Sequence, residues 1–516
     1  MSETPAPATP EAPAVDEGLT RDVLAVAGVV VLGAIMSILD VTVVNVAIKT
    51  LSQEFSSPLS TIQWVATGYT LALATVIPLS AWTAERFGTK RVYMTSIALF
   101  AVGSVLSGLA QNDWQLILFR VLQGFGGGLI MPIGMMILTR KAGPQRLGRV
   151  MAVIGIPMLL GPVLGPILGG WLVDAVSWRW IFFINVPIAA AAIVSAIRVL
   201  PADTPSPEHR LDWLGVLLLS PGLAAIIYGL AESATEGGFG HAKVLVPIVA
   251  GVVVFGLFIA HALTAEEPLV NLRLYKNRVF AASNITLALL IVSVFGGMLL
   301  APLYLQTVRG ETALSTGLLL APQGLGAMIA MPIAGTLADR TGIGRIVPFG
   351  LLAVLASFIG LTQLAADTSY WAFGGLLFVM GLGMGFSMMP TFSGAMQTLK
   401  HADIPSASTT LNIVQQVSAS FGTAVLSVIL TRQIVSQFAT VPGASGSANI
   451  GDTASLPENV RKVIDPLLAN AFGNTFIWAV AFVAIAIVVA AILLPRSKPE
   501  PLDAEAQAEV NAAMMG

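Results

Sequence analysis

The chain is a succession of apolar runs, each long enough to cross a hydrocarbon core. Val23–Leu39, Val244–Leu263 and Phe472–Leu494 each hold no Lys, Arg, Asp or Glu. About twenty apolar residues, rising 1.5 Å each as a helix, span the roughly 30 Å interior of a bilayer. A soluble domain can bury one helix of this kind, but not a dozen. Charged residues make up only 10% of the 516, against roughly 25% in soluble domains. The pattern therefore defines a polytopic, all-helical membrane protein.

Apolar runs between polar punctuation predict fourteen spans. They are 23–47, 60–84, 92–110, 114–138, 149–174, 180–199, 212–232, 243–263, 279–305, 314–338, 345–366, 370–391, 404–431 and 472–494. Lys and Arg accumulate on the cytoplasmic side of membrane proteins. With an inside N-terminus, 18 of the 26 basic residues fall in inner segments, among them Arg86, Lys90 and Arg91, Arg140 and Lys141, and Arg273, Lys276 and Arg278. Seven fall outside, and Arg120 lies within a helix. Both termini are thus expected in the cytoplasm.

The organisation predicted is a tail over 1–22, a six-helix bundle over 23–199 and a Pro-rich linker over 200–211. Two extra helices over 212–263 follow, then a second six-helix bundle over 279–494 and a tail over 495–516. The first tail is rich in Pro, Ala and acidic residues and lacks a basic n-region, so it reads as disordered and not as a signal peptide. Residues 433–471 read as a long external loop, either functional or a tether, with a short interfacial helix over 457–471. Two turns repeat one pattern: Ala81–Arg91, with Glu85, Arg86, Gly88 and Arg91, and Gly335–Arg345, with Asp339, Arg340 and Gly342. Six helices, two extra ones and six more put them at corresponding positions, as in transporters built from duplicated halves around a central cavity.

Several function classes drop out. A net charge of -2 offers nothing to nucleic acid. The absence of cysteine removes disulfides and thiolate metal sites. No G-x-x-x-x-G-K-[ST] loop occurs, so an ATP-driven pump within the chain is excluded. His209, His241, His261 and His401 are scattered, which argues against a membrane enzyme. No ring of charge or filter-like loop suggests a channel. No cofactor or metal is expected.

An ionised side chain in a spanning helix costs roughly 2.5–3.5 kcal/mol on insertion scales and is a functional candidate by default. Only Asp40 and Arg120 lie well inside the spans. Counted along helices running in opposite directions, both sit roughly 10 Å from the same face, so they are expected to be close. They read either as a proton site or as a permanent ion pair that fixes the bundle. Uncharged polar groups supply the candidate cavity: Asn45, Gln63, Trp64, Tyr69, Gln123, Asn284, Tyr304, Gln323, Asn412, Gln415 and Gln416. Each could instead pin neighbouring helices by hydrogen bonding. Met384–Met389 reads as an adaptable apolar wall or as ordinary packing. In the fifth span, Gly161, Gly165 and Gly169 share a helix face and allow close approach, while Pro162 and Pro166 can bend the helix. The open choice there is between a mechanical contact joining the two halves and simple close packing.

Ordered motifs from residue 23 to 494 resemble the major facilitator superfamily, and within it the fourteen-helix drug:proton antiporter branch (EmrB/QacA-like). They are Leu39-Asp40-Val-Thr-Val-Val-Asn45-Val-Ala47, Arg120-Val-Leu-Gln123-Gly124-Phe-Gly126, Gly161-Pro162-Val-Leu-Gly165-Pro166-Ile-Leu-Gly169-Gly170, Trp178-Arg179-Trp180-Ile-Phe-Phe-Ile-Asn185-Val-Pro187 and Tyr304-Leu-Gln306. The third is the mark of antiporters in that family. The first cytoplasmic turn departs from the family pattern, with Ser80-Ala81 where a Gly is usual, Glu85 for Asp and Thr89 for Arg. The resemblance implies a proton-driven multidrug exporter of the bacterial plasma membrane. Its partners would be a lipophilic small molecule (cationic in some cases), protons and the lipid bilayer. It would act as a monomer, with an envelope adaptor protein as an optional further partner. A dedicated exporter of a native metabolite or lipid, or an uptake symporter, is the alternative. One proton exchanged for one monovalent cation moves no net charge, so the pH gradient alone would drive it. A neutral cargo would also use the voltage, at about 2.3 kcal/mol per charge per 100 mV.

Overall fold

The computed structural model describes residues 20–57, 59–142, 161, 164–165, 167–173, 175–202, 205, 211–235, 238–266, 268–399, 403–438 and 458–496. All regular structure among them is helical. In chain order the long helices are α1 (Arg21–Glu54), α2 (Trp64–Phe87), α3 (Thr89–Gly108), α4 (Asp113–Ala142) and α5, which is described in part and helical over 167–173. Then come α6 (Trp180–Val199), α7 (Trp213–Thr235), α8 (Ala242–Thr264), α9 (Arg278–Thr307), α10 (Ala313–Thr341), α11 (Ile343–Leu361), α12 (Tyr370–Gln397), α13 (Ile404–Phe438) and α14 (Glu458–Leu493). Thirteen of these are long and apolar enough to cross a membrane, and α5 occupies the remaining predicted span.

Several helices outrun their apolar segments, because packing and not hydropathy sets where they end. Beyond residue 47, α1 continues to Glu54 as Leu51 is buried beside Trp178, Ile181 and Phe182. The loop expected over 433–471 is helical at both ends: α13 runs to Phe438, with Ile434 and Phe438 buried, and α14 starts at Glu458. The short interfacial helix predicted over 457–471 is the first part of α14, continuous with the spanning part through Pro466.

Glycine patterns set the interior of each bundle. A Cβ on Gly124 or Gly128 of α4 would lie 2.5 Å from the Tyr69 carbonyl oxygen or 2.7 Å from that of Leu73, both in α2. A Cβ on Gly126 would lie 2.5 Å from the Phe100 nitrogen in α3. The fourth helix therefore meets backbone on two sides. In the second bundle α12 repeats the arrangement. Gly381 and Gly385 face α10, where Cβ atoms would lie 1.9 Å from Gln323 O and 3.1 Å from Ala327 O, and Gly383 faces Gly350 O of α11 at 2.6 Å. The two predicted repeat turns also match: Gly88 has φ 90° and ψ 142°, and Gly342 has φ 86° and ψ 148°. In this positive-φ region, where a Cβ is disfavoured, one residue ends a helix and starts the next.

Both turns lie at the same end of the bundle as Arg21, Arg140, Lys141 and Arg496, here termed the basic end. There the halves meet through α2, α4 and α13. Ser80 and Thr409 share a 2.7 Å hydrogen bond between their buried hydroxyls, and Ser408 Oγ donates to Pro132 O at 3.2 Å. At the opposite end, among the described residues, α1 and α9 do not form a packed interface. The extra hairpin straddles the seam. Leu219 and Leu223 of α7 and Phe258 of α8 share an apolar cluster with Ile77 of α2 and Ile413 of α13. Ser220 Oγ donates to Thr75 O at 2.7 Å. Asp212 secures the hairpin's foot by accepting from Gly215 N (2.8 Å) and Leu269 N (3.1 Å) and pairing with His261 Nε2 (2.8 Å). The outer side of α8 exposes Leu245, Val246, Val249, Val252, Val253 and Leu257, an apolar face suited to lipid.

Candidate functional site

Asp40 and Arg120 are each about 1% exposed and form a salt bridge, with Arg120 Nη1 2.6 Å from Asp40 Oδ2. The same Nη1 donates to Gln123 Oε1 at 2.7 Å, and Gln123 Nε2 donates to Asp40 Oδ1 at 2.8 Å. This closed triangle follows from helix geometry, since residues 120 and 123 of α4 share a face. The Gly124 and Gly128 contacts with α2 bring that face to α1 and α2. Arg120 Nε also donates to Val65 O at 3.2 Å, and its guanidinium carbon lies 4.2 Å from the Tyr69 ring centroid. The Phe182 ring is 5.8 Å away. The cation thus has a carbonyl, an amide oxygen and an aromatic face besides its carboxylate.

Asn185, not singled out as a site residue from the sequence, completes the site. It is buried at the break in α6, where the piece Trp180–Phe183 gives way to Asn185–Val199. Its Nδ2 donates to Asp40 Oδ1 and to Ser104 Oγ, both at 3.0 Å, and Ser104 Oγ donates to Phe182 O at 2.9 Å. The available signal was depth: α6 starts at the end of the bundle where α4 starts, and Asn185 lies a turn or so inside it, level with Arg120.

The other candidates do not gather around this pair. Tyr304 is buried, donates to Ala365 O at 2.6 Å and packs between Phe373 and Phe472. Gln323 donates to Met384 Sδ at 3.3 Å between α10 and α12, and Met384, Met388 and Met389 are buried as packing. Asn412 and Asn284 turn their amide nitrogens back on their own helices, to Ser408 O (2.8 Å) and Phe280 O (3.0 Å). Trp64 stacks on Tyr228 of α7 with centroids 5.8 Å apart, and Gln63 before it is exposed. Gln415 and Gln416 are half-buried on α13. The side chain of Asn45 lies outside the described residues.

The glycine ladder of α5 meets α1 within its own half. Cβ atoms on Gly161, Gly165 and Gly169 would lie 2.0 Å from Ile38 Cγ2, 2.0 Å from Thr42 Oγ1 and 3.0 Å from Val43 Cγ1, while Gly170 faces open space. The contact between halves weighed from the sequence is therefore not what these glycines make. They fit α5 against the α1 turns that flank Asp40. Pro162 and Pro166 lie outside the described residues. At the basic-end turns Glu85 and Arg86 are half-buried, Arg91 is exposed and Gly335 is buried, and the side chains of Asp339 and Arg340 lie outside the described residues.

Two helical bundles related by a repeat, with a buried carboxylate–guanidinium pair in one of them, define a membrane transporter of the alternating-access kind. The Major Facilitator Superfamily profile matches residues 30–423, and the chain belongs to that family. It is 44% identical over 495 residues to the "Multidrug resistance protein B homolog" of Mycobacterium tuberculosis, covering 93% of this chain and 90% of the relative. It is 30% identical over 404 residues to the "Multidrug export protein EmrB" of Escherichia coli, covering 78% and 79%. Among solved structures, the proton:xylose symporter XylE superposes with a TM-score of 0.58 at 13% identity over 95% of this chain and 100% of that one. That last likeness is one of fold alone.

Proposed function

We propose that this transporter is a proton-coupled antiporter that exports lipophilic small molecules across the bacterial plasma membrane, with Asp40 as the proton carrier. The observation that carries the reading is the Asp40–Arg120 pair. A buried carboxylate takes three donors, beside a cation whose remaining contacts do not depend on it. When Asp40 is protonated, Arg120 keeps Val65 O, Gln123 Oε1 and the Tyr69 ring. The guanidinium is therefore not stranded, as an unpartnered buried charge would be. An ion pair serving only to hold helices together has no need of such alternatives. In the opposite step Arg120, or a cationic cargo, stabilises the carboxylate and releases the proton.

Lysine and arginine enrichment supports a cytoplasmic position for the basic end and for both termini. On that reading, with the halves joined at the basic end, the arrangement of the described residues corresponds to an outward-open state. The names of the relatives, which speak of multidrug resistance and multidrug export, support a broad cargo; its lipophilic and in part cationic character is our proposal. The working unit we propose is a monomer that needs no cofactor beyond the proton gradient, with an envelope adaptor protein as an optional extension.

The test is reconstitution of the purified protein in liposomes containing a pH-sensitive dye, under an imposed proton gradient, with a panel of lipophilic cations and neutral drugs. Substrate-dependent proton movement is expected in the wild type and absent in a folded Asp40→Asn variant. Undiminished proton-driven transport by that variant overturns the reading.

A further inference from the structure

The hydrogen bonds around Asp40 have a direction. Ser104 Oγ gives its proton to the Phe182 carbonyl, so its oxygen can only accept, and it accepts from Asn185 Nδ2. The second N–H of that amide goes to Asp40 Oδ1. Both donors of Asn185 are used, in the sense that suits an ionised Asp40. Its Oδ1 is buried and has no partner. A buried amide oxygen without a donor is uncommon and calls for a reason.

A proton arriving on Asp40 needs an acceptor, and the three neighbours of the carboxylate differ in whether they can provide one. Arg120 has donors only. Gln123 is pinned, because its Oε1 receives Arg120 Nη1, and turning the amide would set NH2 against the guanidinium. Asn185 can turn: rotation of its amide by 180° exchanges groups of nearly equal shape, and it gives up the two bonds from Nδ2 while offering Oδ1, which has no partner in the first orientation. After the turn Oδ1 accepts the O–H of protonated Asp40, and the Ser104 hydroxyl rotates from Phe182 O to donate to the same oxygen. Among the described residues only this partner can reverse its role.

We infer that Asn185 is a positioning residue for proton transfer, turning its amide to hold Asp40 in both protonation states, with the Ser104 hydroxyl following it. The inference rests on Asp40 being the proton carrier. In the step itself one O–H bond of a hydrated proton at the open face breaks, leaving water, and one O–H bond forms on Asp40 Oδ1; on release the Asp40 O–H bond breaks and the proton returns to water.

The experiment compares reconstituted Asn185→Leu, Asn185→Ser and Asp40→Asn with the wild type. It records the rate and pH profile of substrate-driven proton exchange, the substrate KM and thermal unfolding. Asn185→Leu, which neither donates nor accepts, is expected to lower the coupled rate about tenfold with KM nearly unchanged. Its pH profile is expected to be displaced by about half a unit or more. Asn185→Ser, whose hydroxyl can do both, recovers a substantial part of the rate. In the Asp40→Asn background, Asn185→Leu changes nothing further. A wild-type rate and profile in Asn185→Leu, or a slower rate with an undisplaced profile, overturns the inference while the Asp40→Asn result leaves the carrier standing. Coupling retained by Asp40→Asn overturns both. If the Leu variant does not fold, Asn185→Ala takes its place, and a wild-type rate or an undisplaced profile in that variant decides against the inference.

Discussion

At the residue scale, the site shows how one buried charge organises its neighbours. Tyr69 presents its ring to Arg120, yet its hydroxyl is buried without a hydrogen-bond partner. Desolvating an unpaired hydroxyl costs about 1–3 kcal/mol, whereas the ring–cation contact contributes about 1 kcal/mol or more when desolvated. Tyr69→Phe is therefore expected to hold or raise the unfolding temperature and to keep proton coupling. Tyr69→Leu should lower that temperature, as read by thermal unfolding in detergent. Asp40 and Arg120 were legible in the sequence because a charge inside an apolar span is expensive and so stands out. Asn185 stood in one of the motifs that carry the resemblance, but neither it nor Ser104 was marked as part of the site. Uncharged polar residues are common in spanning helices, and depth alone does not single one out until a packed neighbour gives it a partner.

At the element scale, two glycine devices build each bundle twice. Gly88 and Gly342 hold almost the same positive-φ, extended conformation, a region kept largely to glycine, where a Cβ costs about 1–3 kcal/mol. Gly88→Ala and Gly342→Ala should each destabilise by that amount, in thermal or denaturant unfolding. The turn repeat was visible because its acid–Arg–x–Gly pattern is local. The G-x-G-x-G runs of α4 and α12 escaped notice as a pair, since glycine alone does not say which neighbour approaches it. The seam between the halves is also an element-scale feature. Ser80, standing where the family usually has a glycine, shares its hydroxyl with Thr409 of the other half. A buried pair of this kind contributes about 1 kcal/mol. Ser80→Ala should shift the equilibrium several-fold toward opening of the basic end, as measured by spin-label distances between α2 and α13.

At the scale of the whole molecule, the opposite end holds the second bundle together through a polar cluster. Glu311, between α9 and α10, accepts from Ser315 and from Tyr370 at the start of α12, and Arg309 lies over the Tyr370 ring. The hydrogen bond from Ser315, then that from Tyr370, with the charge of Arg309 adding to both, hold the Glu311 carboxyl below its ordinary value. A depressed carboxyl stabilises the fold above its unfolded value and loses that contribution as pH falls through the folded one. The wild type should therefore lose thermal stability from about pH 5 downward. Glu311→Gln should lose less over the same window, while starting less stable at neutral pH. The extra hairpin works at this scale too: α7 contacts both α2 and α13 while α8 packs on α7, so any rocking of the halves must repack the Ile77–Leu219–Ile413 cluster.

Hydropathy alone determined that the chain crosses the membrane many times, because a bilayer core tolerates only long apolar helices with their backbone satisfied internally. Charge distribution carried the orientation argument, and the cost of burying Asp40 and Arg120 marked the site. Three things were decided only by tertiary structure. Helix ends at Glu54, Phe438 and Glu458 depend on what the final turns pack against, which hydropathy does not encode. Tyr304, Gln323, Asn412 and Asn284 bond to neighbouring atoms instead of joining the charged pair, because a polar side chain takes the partner that packing brings nearest. Asn185 meets Asp40 across 145 residues of chain, and an encounter of that span exists only once the helices have assembled.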